Sequence, residues 1–195
     1  MVQNRELKGT FGIEFHNSDL FNLDVRQDYE LLPRNFLIAP GVTVPAGGHD
    51  YRSVNLAYTL GQQRPVSGKL TLSRGSLYEG TKTEATYAGR IVLQPRLSLE
   101  PGITLDWVSL PYGDFTARLL NTRVVVTPTP RMLVSSLLQY NDSAHTLTGS
   151  LRLSWEYIPG SQIFVVYSDG RDTAAASAGL LNRSFAVKVT RLLRI

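Results

Sequence analysis

The chain has 195 residues, 43% hydrophobic and 18% charged, with a formal net charge of +4 and no cysteine. This balance excludes a disordered tail, disulfides and thiolate chemistry, and arginines spread along the whole length exclude the clustered footprint of a nucleic-acid binder. No run approaches the roughly 18 apolar residues that a membrane-crossing helix needs, and the most apolar stretch, Ile163 to Tyr167, is only strand-sized.

The chain opens Met1-Val2-Gln3-Asn4-Arg5-Glu6, without the basic and then apolar regions of a signal peptide. Period-2 alternation then runs nearly from end to end. Leu7, Phe11, Ile13 and Phe15 share one face, against Glu6, Lys8, Thr10 and Glu14. Phe21, Leu23, Val25 and Tyr29 oppose Asn22, Asp24, Arg26 and Asp28. Later, Leu97, Leu99, Ile103, Leu105 and Trp107 oppose Ser98, Glu100, Gly102, Thr104 and Asp106. Leu147, Leu151, Leu153, Trp155 and Tyr157 oppose Thr148, Ser150, Arg152, Ser154 and Glu156. A face with charges and hydroxyls in every row is a wet face, and strict alternation without any 3.6-residue stripe predicts strands.

About eleven segments follow this pattern, near 5–15, 21–31, 51–60, 66–74, 83–93, 97–108, 115–126, 132–140, 146–157, 162–168 and 183–195. Eleven residues at about 3.3 Å rise and a tilt near 40° cover roughly 28 Å, which matches the apolar band of a membrane barrel. Strands of soluble sheets are commonly about five or six residues.

The connections alternate. Gln94-Pro95-Arg96, Pro128-Thr129-Pro130 and Ile158-Pro159-Gly160-Ser161 are short, with His16 to Leu20 and Gly61 to Pro65 slightly longer. Leu32 to Asp50, Arg74 to Lys82, Ser109 to Asp114, Asn141 to His145 and Ser168 to Asn182 are the long class. Tight periplasmic turns and longer outer loops have this rhythm. With the last strand ending in the periplasm, every short turn falls on that side. Aromatics on the apolar face sit near strand ends: Phe15, Phe21, Tyr58 and Tyr157 at one rim, Tyr29, Trp107, Tyr140, Tyr167 and Phe185 at the other. Such rings prefer the membrane–water interface.

No catalytic, cofactor-binding or metal-ligating residue is assigned. His16, His49 and His145 have no neighbours at metal-ligand spacing and read as solvated loop or rim histidines. Gly75-Ser76-Leu77 lacks the G-x-S-x-G elbow of a serine hydrolase. Asp169-Gly170-Arg171-Asp172 reads as a turn rather than a calcium loop. Lys8, Glu14, Asp24, Arg26, Asp28, Lys69, Glu84, Arg90, Glu100, Asp106, Arg123, Arg152, Glu156, Lys188 and Arg194 fall on the wet face with mixed signs. They fit a self-neutralising interior better than a single-sign selectivity ring. Arg191 falls by parity on the apolar face between Val189 and Leu193, near the periplasmic end, where its long side chain can snorkel.

Several motifs in the second half resemble a known family. They are Leu110-Pro111-Tyr112-Gly113-Asp114-Phe115-Thr116, Leu138-Gln139-Tyr140-Asn141 and Trp155-Glu156-Tyr157-Ile158-Pro159-Gly160-Ser161, then Phe164 through Asp172 and Asn182 through Arg194. Upstream, Pro40 through Gly47 and Leu77 through Lys82 fit as well. In this order they resemble the uncharacterised C-terminal barrel domain of bacterial proteins that carry an N-terminal carbohydrate-binding module related to family 9. The resemblance covers most of the chain. It implies an outer-membrane location and no assigned catalytic residues; the module itself is not in this chain, so sugar binding is not implied. Barrels of this sort usually end in an aromatic residue read by the assembly machinery, whereas this chain ends in Ile195.

The expectation is an all-β, antiparallel up-and-down meander of about eleven strands, a transmembrane β-barrel or an open C-terminal segment of one. Residues 1–195 would form a single C-terminal domain, incomplete at its N-terminus. An odd count beginning within a few residues of Met1 puts that end on the wrong side for a complete barrel, and leaves an unpaired edge near Leu7 to Phe15. Its role is that of a membrane anchor or passive pore for an upstream module, not an enzyme. Its partners would be outer-membrane lipid, the barrel-assembly machinery during biogenesis and the upstream carbohydrate-binding module, with no nucleic acid and no cofactor. The alternative is a soluble all-β binding protein, a lipocalin-like barrel or sandwich, with the apolar face inward.

Overall fold

The computed structural model describes residues 4–174 and 179–192. Its strands are β1 (Asn4–Glu14), β2 (Leu20–Leu32), β3 (Phe36–Ala39), β4 (Val42–Val44), β5 (Gly47–Leu60), β6 (Val66–Leu77), β7 (Gly80–Gln94), β8 (Leu97–Leu110), β9 (Gly113–Thr129), β10 (Met132–Asn141), β11 (Thr146–Ile158), β12 (Ser161–Asp172) and β13 (Gly179–Thr190). Eleven of them make one sheet in the order β1-β2-β5-β6-β7-β8-β9-β10-β11-β12-β13, and β3-β4 is a separate hairpin. The all-β meander read from the alternation is the observed fold. Within the large sheet, strands run from 10 to 17 residues, far longer than those of most soluble sheets. The terminal residues Leu193, Arg194 and Ile195, on which part of the sequence reading fell, lie outside the described residues, as do Met1 and positions 175–178.

Contacts divide the chain into two units. In the first, Met1–Ala88 with Ile103–Arg118, the register places Phe11 opposite Leu23 and Ile13 opposite Phe21. Leu23 faces Leu56, which in turn faces Leu72. Cross-strand partners share a face, so these rows assemble the apolar face read from the sequence. Lys8–Arg26, Thr10–Asp24 and Asp24–Asn55 form the polar one. In the second unit, Gly89–Gly102 with Leu119–Ile195, the apolar rows are Ser136–Leu151–Tyr167–Phe185 and Val134–Leu153–Val165–Val187.

Three expectations about connections are corrected. Arg74 to Lys82 is not a long loop: β6 and β7 join through Tyr78 and Glu79 alone, both with positive φ (44° and 66°), the signature of a tight hairpin whose twist matches its strands. Gly80 follows immediately because a Cβ there would strike the Ser109 carbonyl. Ser109 to Asp114 likewise shrinks to Pro111-Tyr112, and the Ser168 to Asn182 loop loses residues to both strands. The short-and-long rhythm is therefore largely an artefact of strand ends that polar composition concealed. What remains genuinely long is residues 33–46, and even that folds into the β3–β4 hairpin. Arg191 lies beyond the last residue of β13 rather than inside the strand, so no charge enters the ladder there.

The dry core is small and sits at one end of the first unit. Val42 and Val44 from the hairpin pack against Tyr78, Val108 and Leu110, with Leu32, Ile38, Tyr51, Leu77, Tyr112 and Phe115 around them. Val108 and Leu110 share parity with Asp106, so the hairpin lies on the polar face.

Candidate functional site

The polar face pairs its charges locally. In the first unit Lys8 reaches Asp24 at 3.5 Å, Arg26 reaches Glu6 at 3.4 Å, and the Thr10 hydroxyl donates to Asp24 at 2.7 Å. Further along, Lys82 stands between Glu84 at 2.7 Å and Asp106 at 3.1 Å. Polar composition hides Lys82 in an apparent loop; because β7 starts at Gly80, parity puts it beside Glu84. In the second unit Arg123 reaches Glu100 at 3.6 Å. Arg123, Ser135, Leu137, Ser150 and Arg152 line a cavity of about 120 Å³ on that face. In the first unit like charges share a row, Lys8 with Arg26 and Glu6 with Asp28, and neutralisation runs diagonally between adjacent rows through Lys8–Asp24 and Arg26–Glu6.

Where the hairpin docks, polar groups are buried with the apolar ones. His49, expected in a solvated loop or at a rim, is instead 5% exposed. Its Nε2 lies 3.2 Å from the Pro45 carbonyl, and its ring meets Tyr78 edge-on at 5.1 Å. Pairing of Glu30 with His49 in the β2–β5 ladder draws it under the hairpin. The Tyr51 and Tyr78 hydroxyls donate to Glu30 Oε2 at 3.1 and 3.3 Å. Burial pushes the Tyr78 hydroxyl above the ordinary tyrosine pKa, so it stays a donor at any physiological pH. Of the other histidines, His16 is exposed in the β1–β2 turn and His145 occupies the β10–β11 turn with φ 50°. Among the described residues, no group of three or more His, Asp or Glu side chains could hold a metal ion. The Ser76 hydroxyl oxygen accepts from the Arg52 backbone N–H at 2.8 Å, a structural bond between β5 and the end of β6.

At the opposite end of the first unit, Asp19 organises two turns. It is 1% exposed and accepts from the Gly61 backbone N–H at 2.8 Å, the Tyr58 hydroxyl at 2.8 Å, Arg64 Nη2 at 3.0 Å and Asn17 Nδ2 at 3.1 Å. The Gly61 N–H foremost, with Tyr58 and Arg64, holds its carboxyl below the ordinary value near 3.8. A carboxyl depressed in the folded state contributes stability that is present above its unfolded pKa and is lost as pH falls through the folded one. Asp19→Asn therefore unfolds at a lower denaturant concentration than wild type at neutral pH, and the difference disappears in strong acid. Unfolding midpoints taken across that range check it; a pH-independent gap would mean that charge plays no part.

Asp169-Gly170-Arg171-Asp172, read as a turn, lies inside β12, which ends only at Asp172. The reversal falls after it because the register slips between Gly170 and Arg171, a bulge that lets the strand continue. Asp169 accepts from Arg171 Nε at 2.8 Å and from Arg183 Nε and Nη2, each at 3.0 Å.

No family model matches the chain, and no curated protein does. Among solved structures it is similar to the NanC porin in a rhombohedral crystal form, at 9% identity over 98% of this chain and 94% of that one, with a TM-score of 0.43. It is also similar to the KdgM porin in complex with disordered oligogalacturonate, at 12% identity over 95% of this chain and 93% of that one, with a TM-score of 0.38.

Proposed function

We propose that this chain is a transmembrane β-barrel segment of a bacterial outer membrane, serving as the anchor, or a passive pore, for an upstream module, without chemistry of its own. One observation carries the reading. Among the described residues thirty-two large apolar side chains are exposed, from Leu7 to Leu192, while only six apolar residues are buried. Water would tolerate single exposed leucines, but not a whole sheet face of Leu, Val, Ile and Phe, since patches beyond a few hundred Å² mark an interface. Hydrocarbon is the partner that asks for no hydrogen bonds from such a face, and long strands are what spanning it requires.

The anchor role is supported by the polar face. Acids and bases on it pair locally, Lys8 with Asp24, Arg26 with Glu6 and Arg123 with Glu100, with no single-sign ring among the described residues, and the β3–β4 hairpin lies over one end of it. The upstream carbohydrate-binding module rests on the motif resemblance alone. The deciding experiment is expression behind an export signal, then fractionation. The protein is expected in the outer-membrane fraction, to require detergent for extraction, and to migrate differently on gels before and after heating. Recovery in the soluble periplasm would favour the inward-facing, lipocalin-like alternative instead.

A further inference from the structure

On the apolar face of the second unit, the rows Ile163–Val189, Val165–Val187 and Tyr167–Phe185 are followed by Asp169–Arg183. Phe185, Val187 and Val189 are all more than half exposed. Directly beyond this apolar strip, one carboxylate holds two guanidinium groups side by side, and both arginine side chains remain about half exposed, at 48% and 52%, while Asp169 is at 15%. The cluster keeps a net positive charge. Each guanidinium has five N–H donors; Asp169 takes one from Arg171 and two from Arg183 among the described residues.

We infer that Asp169, Arg171 and Arg183 form a binding site for the phosphate of a membrane-lipid headgroup in the distal leaflet. This rests on the membrane reading proposed above. The eight residue steps from Ser161 to Asp169, at about 3.3 Å each and a tilt near 40°, raise the cluster roughly 20 Å above the β11–β12 turn, close to the far side of an apolar band about 25 Å tall. Headgroup phosphates stand at that level. A lipid-facing positive charge there needs an anion, and a phosphate monoester offers a tetrahedral, multivalent acceptor, pairs of whose oxygens the planar guanidinium forks can bridge. Asp169 positions them; it takes no part in the lipid contact. A protein partner would need the neighbouring Tyr167 and Phe185 rings as part of its footprint, but these are the residues the acyl boundary occupies.

The test uses the full chain folded into vesicles of phosphatidylcholine alone or of phosphatidylcholine with phosphatidic acid, whose headgroup is a bare phosphate monoester. Retained lipid is identified by native mass spectrometry after transfer to detergent. Wild type is expected to retain phosphatidic acid, and Arg171→Gln/Arg183→Gln to retain about tenfold less, the loss of one charge-assisted contact's worth of affinity. Arg171→Lys/Arg183→Lys keeps the charge but not the fork and falls between the two. Arg152→Gln, on the other face, retains phosphatidic acid as wild type does. All variants should shift on gels with heating in phosphatidylcholine alone, which separates a failed site from a failed fold. Equal retention by the wild type and the double glutamine variant overturns the site. If inorganic phosphate added to the vesicles strips the lipid completely at equal concentration, the site is one for free phosphate instead. A chain that enters no vesicle overturns the membrane reading and the site together.

Discussion

Leu72→Arg destabilises the protein in a bilayer by about 2–4 kcal/mol, the cost of a lipid-facing cation near the membrane midplane. Leu72 is 48% exposed, lies opposite Leu56 and sits midway along β6. For a soluble protein the same replacement of an exposed leucine falls within about ±0.5 kcal/mol, because nothing packs on the site and water solvates the new charge. The two readings of the apolar face thus differ by a measurable amount at one residue. The companion Ser73→Arg turns to the polar face opposite Asn55 and is expected to be nearly neutral. Unfolding of the reconstituted protein in urea, followed by the loss of the heat-sensitive gel shift, measures both. A neutral Leu72→Arg would place that face in water or against polar protein.

Val44→Asp has the second large effect, and it is local. Val44 is fully buried in the small core under the β3–β4 hairpin. An unpaired carboxylate there costs several kcal/mol, more than a hairpin of two strands, of 4 and 3 residues, docked through two valines can offset. The hairpin is therefore expected to undock while the main sheet survives, since β2 and β5 keep their thirteen-position ladder without it. Limited proteolysis of the reconstituted protein should cut between residues 33 and 46 in the variant and leave wild type intact. Leu37→Asp, on the hairpin's outer side at 63% exposure, should change nothing. Loss of the whole fold in Val44→Asp would show instead that the hairpin core holds the strands together.

Alternation alone determined the fold class. Side chains of a strand point to opposite sides at every step, so a face such as Leu23, Leu56 and Leu72 can be traced from sequence before any pairing is known, and consecutive strands of a meander then pair in order. The polar rows were legible for the same reason, down to the mixing of signs at Lys8, Asp24 and Arg26. Strand ends and the fate of the longest loop were decided by tertiary structure. Tyr78 and Glu79 carry no Gly or Asn to announce a two-residue hairpin, and Asp169-Gly170-Arg171-Asp172 has the composition of a turn. It remains strand because ladder bonds to β11 and β13 outweigh local preference. His49 is buried against Tyr78, and Asp19 collects three of its four donors, from Tyr58, Gly61 and Arg64, through contacts between segments about thirty to forty-five positions apart, where spacing along the chain says nothing. The arginine pair on Asp169 belongs to both cases: parity places Asp169 and Arg183 on the apolar face, but only the β12–β13 register makes them neighbours.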